Sequence, residues 1–344
     1  MKRVWITAVA LGCGAMALTP RAQQGAPTYQ RNPLASRISH TNPTSYRPSP
    51  RVHGGPGQLN YMALFSGTSG FDTNLWFLHR GIIEPKSGIG GHFHNYCEEM
   101  FVIFDGEAQF TVDGRTSTLK APAGAPTRMG HWHAIYNPSD KPIQWMNINV
   151  SLYKGQYDAF DLGDGRVGAP LDPVPQFMSI SLDQAALTPM NVGAGGKGEV
   201  RYRRVINPSV FLGPWGFLDQ YTLAPGAATA PTTDREVGGF FYVIAGQGKV
   251  TISGETADIK EGDAIPILLN DTKQFENTGT TPLQLMQVGI VNDMSRRNDI
   301  LNAVGGMRGI GGGPAGGPGR GAPGRGAAGP GGQGAGAPGA GRGQ

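Results

Sequence analysis

Between Leu59 and about Tyr153, short apolar runs are separated by clusters of Gly, Pro, Asp and Asn. The runs "YMALFS", "NLWFLHRGII", "EEMFVIF", "AQFTV" and "IQWMNINVSLY" have the length and the β-branched or aromatic content of strands. "VDGR", at Val112–Arg115, carries the turn residues of a hairpin. A second block of the same texture runs from Glu199 to about Val291 and includes "PWGFLDQYTL", "GGFFYVIAG", "GKVTISG", "GDAIPI" and "LQLMQVGIV". No long stretch repeats its apolar residues with the period of an amphipathic helix. The pattern predicts an all-β protein with two strand-rich domains, over residues 59–154 and 199–293.

The connecting segments read differently. Residues 23–58 are rich in Pro, Ser, Asn and Arg, which predicts an extended arm that could lend a strand to a neighbouring copy in a homo-oligomer. Residues 155–198 form a looser linker in which "SISLDQAAL" has room for a short strand or a helical turn. "SRRNDILNAV" predicts a short closing helix over 294–304, with Ser295 as its cap. Residues 305–344 are dominated by Gly, Ala, Pro and Arg without a strict three-residue glycine repeat, which excludes collagen. Such a tail cannot bury enough apolar surface to offset the entropy of ordering it. It is expected to be disordered, as a flexible tether or a neutral extension.

The two blocks also align. "TLAPGAATAPTTDREVGGFFYVIAGQGKVTISG" lies over "IIEPKSGIGGHFHNYCEEMFVIFDGEAQFTVDG", so that Thr232 falls on His92, Asp234 on His94 and Gly239 on Glu99. A repeat of this size implies two copies of one β-barrel.

The amino terminus changes the cellular picture. Lys2 and Arg3 precede an apolar run from Val4 to about Leu18, followed by small and polar residues. That is the layout of a Sec-type signal peptide, residues 1–22, with cleavage after Ala22 favoured over Ala17. The run is shorter than the roughly 20 apolar residues of a spanning helix, so no membrane span is expected. Ala10-Leu11-Gly12-Cys13 is an imperfect lipobox, which leaves a lipoprotein anchor at Cys13 as an alternative. The expected location is periplasmic or secreted. Cleavage after Ala22 leaves Cys97 as the single cysteine, without an internal disulfide and read as a small buried hydrophobe.

The net charge of +4 overstates the basic character of the folded part. Lys2, Arg3 and Arg21 lie in the leader, and Arg308, Arg320, Arg325 and Arg342 in the tail, and neither segment holds an acid. What lies between them is slightly acidic, which argues against a nucleic-acid surface.

The candidate chemistry lies in the first block. His92 and His94 are two apart, so on a strand they project to one face. Glu99 opens the next run, and His133 sits in "MGHWHAIYN" three residues after Gly130 and four before Asn137. Three imidazoles and a carboxylate suit one divalent transition metal, with Fe or Mn foremost and Ni, Cu or Zn as alternatives. Four protein ligands in an octahedral shell leave two positions for water, a small-molecule substrate or dioxygen. His131, two before His133, could share its face as a proton shuttle, or be a solvated loop histidine. Trp76, Leu78, Phe101, Ile103, Trp132 and Met146 are expected to line a barrel. Asn147 and Asn149 share one parity of their strand, Met146 and Ile148 the other, and the pattern leaves open which pair faces inward.

These residues resemble the motifs of the cupin superfamily. The first motif reads Gly, five residues, His-x-His, three or four residues, Glu, six residues, Gly; His92, His94, Glu99 and Gly106 match it. The spacing to Gly106 selects Glu99 over Glu98, whose side chain is then expected to face outward. The second motif reads Pro-x-Gly, two residues, His, three residues, Asn; Gly130, His133 and Asn137 match it. Lys86 stands at the opening glycine of the first motif and Arg128 at the proline of the second.

The resemblance covers both blocks and implies two tandem cupin barrels of the double-stranded β-helix, or jelly-roll, type. It implies metal ligation by His92, His94, Glu99 and His133 in the first barrel, with Glu99 and His131 as candidate catalytic groups. In the second barrel Thr232, Asp234, Gly239 and Lys273 replace the ligands, which reads as a barrel kept for packing and leaves a small-molecule pocket open. The implied activity is a dioxygenase acting on a phenolic or enolisable compound, as in quercetin-dioxygenase-like relatives. The alternatives are a metal-dependent decarboxylase, lyase or sugar isomerase, or a non-catalytic periplasmic binding protein.

Overall fold

The computed structural model describes residues 32–307 apart from Thr68. The leader at 1–22 with Cys13, the start of the arm, and residues 308–344 lie outside the described residues.

The arm does not stand apart. α1 (Leu34–Arg37) buries Leu34, β1 (Ser39–His40) pairs with the second barrel, and β2 (Arg47–Pro50) pairs with the first. The strand expected to go to a neighbour is therefore spent within the chain.

The first barrel comprises β3 (Gln58–Ser66), β4 (Leu75–Ile83), β5 (Gly88–Phe93), β6 (Cys97–Ile103), β7 (Glu107–Val112), β8 (Arg115–Lys120), β9 (Ala123–Thr127), β10 (Trp132–Tyr136) and β11 (Ile143–Ser151). The β7–β8 hairpin turns at Asp113 and Gly114, both at positive φ. From the linker, β12 (Phe160–Asp161) joins β5, β13 (Ile180–Ser181) joins β9, and β14 (Thr188–Met190) joins the second barrel.

The second barrel repeats the plan with β15 (Val200–Ile206), β16 (Trp215–Leu223), β17 (Thr232–Thr233), β18 (Val237–Ala245), β19 (Gln247–Ile252), β20 (Glu255–Lys260), β21 (Asp263–Ile267), β22 (Thr272–Glu276) and β23 (Leu283–Val291). Each barrel closes a seven-stranded sheet on a smaller one. The orders are β13-β9-β6-β11-β4-β3-β2 with β12-β5-β10-β7-β8, and β1-β21-β18-β23-β16-β15-β14 with β17-β22-β19-β20. The closing helix is α2 (Arg297–Met307), which extends past the expected end at 304. Its approach is capped by Asp293, whose carboxylate accepts the Ser295 N–H, so Ser295 is not the cap.

Each barrel has its own interior core, which for the first includes Leu59, Phe101, Ile103, Phe110 and Trp145. The two large sheets share another. Leu78, Met100, Met146 and Ile148 of the first pack in one cluster with Phe240, Tyr242, Met286 and Val288 of the second. Leu78 and Met146 therefore face the partner barrel, not their own interior. The central strands β6, β9 and β11 of the first sheet are buried on both faces, which is why β6 and β11 read as continuous apolar runs.

Glu98 belongs to this junction. It faces out of its own barrel, yet it is fully buried, because its carboxylate accepts the N–H groups of Leu212 (2.7 Å) and Gly213 (3.0 Å). Burial pushes it up to about 7, against the pull of those N–H groups and of Arg297 and Arg128. Both departures from the sequence motifs also acquire reasons. Arg128 bonds the carbonyls of Ser209 and Val210, tying the barrels together. Lys86 adopts φ 55°, the left-handed conformation that Gly226 supplies at φ 76° in the second copy, so the backbone turn survives without glycine.

Glu98→Ala leaves buried backbone N–H groups without an acceptor, at a cost of about 1–3 kcal/mol. Urea unfolding should show a midpoint lowered accordingly; an unchanged midpoint would show that the Leu212–Gly213 turn finds other partners.

Candidate metal centre

β5 and β10 are adjacent and antiparallel, with His133 opposite His92. β6 brings Glu99 across from Asn149 on β11. These registers place one ligand atom from each of His92, His94, Glu99 and His133 within 4.8 Å of one another, and all four residues are buried.

The imidazoles are aimed. His92 Nδ1 donates to the Gly90 carbonyl at 2.9 Å, and His94 Nδ1 to the Asp158 carbonyl. That leaves each Nε2 with its lone pair toward the centre. The Nε2 atoms of His92, His94 and His133 have no hydrogen-bond partner. His94 Nε2 comes within 2.7 Å of Glu99 Oε2, off the hydrogen-bond direction, and His133 Nε2 lies 3.9 Å from Oε1. Buried nitrogen atoms without partners are costly, and three around one carboxylate form an N₃O donor set that fits a divalent transition metal.

Asn147 and Asn149 resolve the parity question. Both face the interior, and their amides donate to Glu99 Oε1 (2.5 Å) and Oε2 (2.9 Å). Burial works to raise Glu99, but His94 and His133 outweigh it and hold the carboxyl well below the usual carboxylate range. Burial lowers His92 and His133, reinforced at His92 by the neighbouring His133. At His94 burial is outweighed by Glu99, and its proton is held more tightly than usual.

His53, Phe77, His79 and Tyr157 were not singled out in the sequence. His53 stacks on His92 with ring centroids 3.8 Å apart, its Nδ1 bonded to Asp161 at 2.5 Å. His79 pairs with Asn147 across β4 and β11, so it faces the same interior, and burial lowers it to about 4. Phe77, opposite Asn149, stacks on His79, and Tyr157 from the linker packs against His94 and Phe77. Trp76 stacks on Tyr157. The ligands are thus bordered by aromatic rings.

His131 is not brought into the site. β10 begins at Trp132, which leaves His131 in the preceding turn. Its side chain is 51% exposed and bonded to Asp113 on the β7–β8 turn, so the proton-shuttle role has no structural basis. Trp132 lies under Arg166, outside the barrel core. Cys97 is buried near His94 and Asp158, and burial pushes its thiol up to about 11, so it stays protonated.

In the second barrel, β17 and β22 set Thr232 opposite Lys273, as His92 faces His133. Lys273 Nζ forms a 2.6 Å ion pair with Asp234, at the positions of His133 and His94. Gly239 replaces Glu99 at φ 131°, and a Cβ there would stand 2.1 Å from the Val288 carbonyl oxygen. No carboxylate fits that position.

A Cupin domain family model matches residues 79–149 and 220–289, one stretch in each barrel. The oxalate-binding protein of Thermotoga maritima is 26% identical over 97 residues, covering 28% of this chain and 80% of that protein. Among solved structures, a salicylate 1,2-dioxygenase mutant from Pseudoaminobacter salicylatoxidans in complex with gentisate superposes with a TM-score of 0.56. It has 16% identity over 71% of this chain and 76% of its own. Lactobacillus farciminis oxalate decarboxylase, in a formate complex, gives a TM-score of 0.53 and 14% identity over 74% and 86%. At these identities the two structures share the fold.

His92→Ala/His133→Ala should abolish stoichiometric metal in elemental analysis while circular dichroism stays β-rich; retention of one tight ion per chain would place the site elsewhere. Because the His94 proton must leave before Nε2 can ligate, metal affinity of the chelator-stripped chain should weaken from pH 8 to pH 6. Affinity independent of pH over that range would exclude His94 as a ligand.

Proposed function

The chain is a two-domain cupin, and we propose that its first barrel is a metal-dependent dioxygenase of small phenolic or enolisable compounds. The observation that carries this reading is the N₃O cluster bordered by Phe77, His79, Tyr157 and Trp76. Flat rings beside the ligands suit a planar aromatic substrate. A small dicarboxylate such as oxalate calls for cationic partners, which favours the phenolic reading over a decarboxylase.

A metal held by His92, His94, Glu99 and His133 would supply Lewis acidity toward a substrate oxygen and, if redox-active, electron transfer to dioxygen. The chain's own residues do the rest. Asn147 and Asn149 hold the Glu99 carboxylate in one orientation, while His94 and His133 keep it ionised. His79 stays neutral well below physiological pH and turns its ring into the same interior, where it offers a hydrogen-bond acceptor to a substrate hydroxyl. Phe77 stacks on the His79 ring at 4.1 Å and fixes its plane. Export to the periplasm is part of the proposal and rests on the leader; mature protein should begin at Gln23 on amino-terminal sequencing.

An oxygen electrode tests the reaction directly. Purified metal-loaded protein should consume dioxygen with dihydroxybenzoate-type or flavonol-type substrates. Turnover of keto acids or oxalate under anaerobic conditions would instead mark a lyase. His79→Phe keeps the stack and removes the hydrogen-bond acceptor, so kcat/KM should fall by about tenfold with little change in metal content. An unaltered kcat/KM would remove His79 from the mechanism.

A further inference from the structure

The second barrel holds a cavity of about 500 Å³, within the range of small-molecule sites. Its walls include Tyr202, Tyr221, Phe241, Phe275 and Leu285. The charged residues that border it, Arg203, Arg204 and Lys273, are all cationic. Asp234 pairs with Lys273, and Asp219, on the same sheet face as Gln287, pairs with Arg204; neither carboxylate lines the cavity itself. Lys273 is buried, at 3% exposure, at the place of the first barrel's His133. A core kept only for packing gains nothing from a buried ion pair, which apolar side chains of similar volume replace at no loss of stability. Here the pair is retained and the space beside it is left open. Gln287, at the place of Asn147, also borders the cavity, with its Oε1 accepting from the Tyr221 hydroxyl at 3.1 Å.

We propose that the second barrel is a metal-independent binding site for a small aromatic carboxylate, with the Lys273 ammonium taking the oxyanion and Phe241, Phe275 and Tyr202 enclosing the ring. The first barrel's ligand positions have been converted from holding a cation to supplying one. Asp234 holds the ammonium in place at 2.6 Å, and Arg204, braced by Asp219 and by the face of Phe217 at 4.4 Å, borders the same cavity. The site does not depend on the reaction proposed for the first barrel.

Calorimetric titration of the full-length chain with sodium 2-naphthoate tests this, alongside the full-length His92→Ala/His133→Ala variant. That variant separates the two barrels, and it should retain one saturable naphthoate site. Lys273→Met should weaken naphthoate binding by about tenfold or more, as expected for loss of a charge-assisted contact. Binding of the neutral ketone 2-acetonaphthone should change far less. Thr232→Trp, at the exposed rim of the cavity, should block both probes without disturbing the buried pair. Absence of saturable naphthoate binding in the His92→Ala/His133→Ala variant would overturn the proposal. So would binding that neither Lys273→Met nor Thr232→Trp alters.

Discussion

Glu99 carries its charge where water cannot reach it, and that charge sets the terms for everything around it. An isolated carboxylate in such a place is strongly unfavourable. Two amides and the nearby imidazoles meet the requirement, and they fix the carboxylate as they do so. The second barrel shows the same constraint relaxed. With Gly239 in place of the carboxylate, the histidines are absent too, and a Lys273–Asp234 ion pair occupies their positions. Ligand and counter-charge are therefore exchanged as a set.

The second organising feature is the pair of central strands β6 and β11, which have no solvent face. Neighbouring residues on β6 and β11 serve two different interiors. Glu99 turns into the metal centre while Glu98 accepts backbone N–H groups from the second barrel. Asn147 and Asn149 support Glu99, while Met146 and Ile148 pack in the interdomain cluster. The barrels are thus mechanically joined at the strands that build the site. Arg80 extends the joint, its Nε bonding the Tyr242 hydroxyl at 3.0 Å and its guanidinium lying over Phe104.

The tandem barrel architecture was legible in the sequence, because turn residues punctuate its strands and the duplication repeats their spacing. The four clustered side chains were legible too, since all of them sit in two short motifs, three in the first and His133 in the second. What was not legible has a physical reason in each case. Asn147 and Asn149 could not be oriented because both faces of β11 are buried, so polarity does not mark the inside. Glu98 faces out of its barrel as parity demands, but outward there means a second barrel instead of water. His131 shares the parity of His133 only if the strand extends back to it, and the strand begins one residue later. β5 (GIGGHF) has little strand propensity and is held by its neighbours β10 and β12. His53 and Tyr157 reach the centre from the arm and the linker, through contacts that local pattern does not encode.

X-ray absorption at the edge of the bound metal bears on the assignment of His92, His94, Glu99 and His133 as its ligands. The nearest neighbours of the metal should be nitrogen and oxygen only, with the outer-shell scattering of three imidazoles, which disappears in a variant lacking His92 and His133. A sulfur scatterer near about 2.3 Å, the distance of a zinc–thiolate bond, would bring Cys97 into the shell and contradict that assignment.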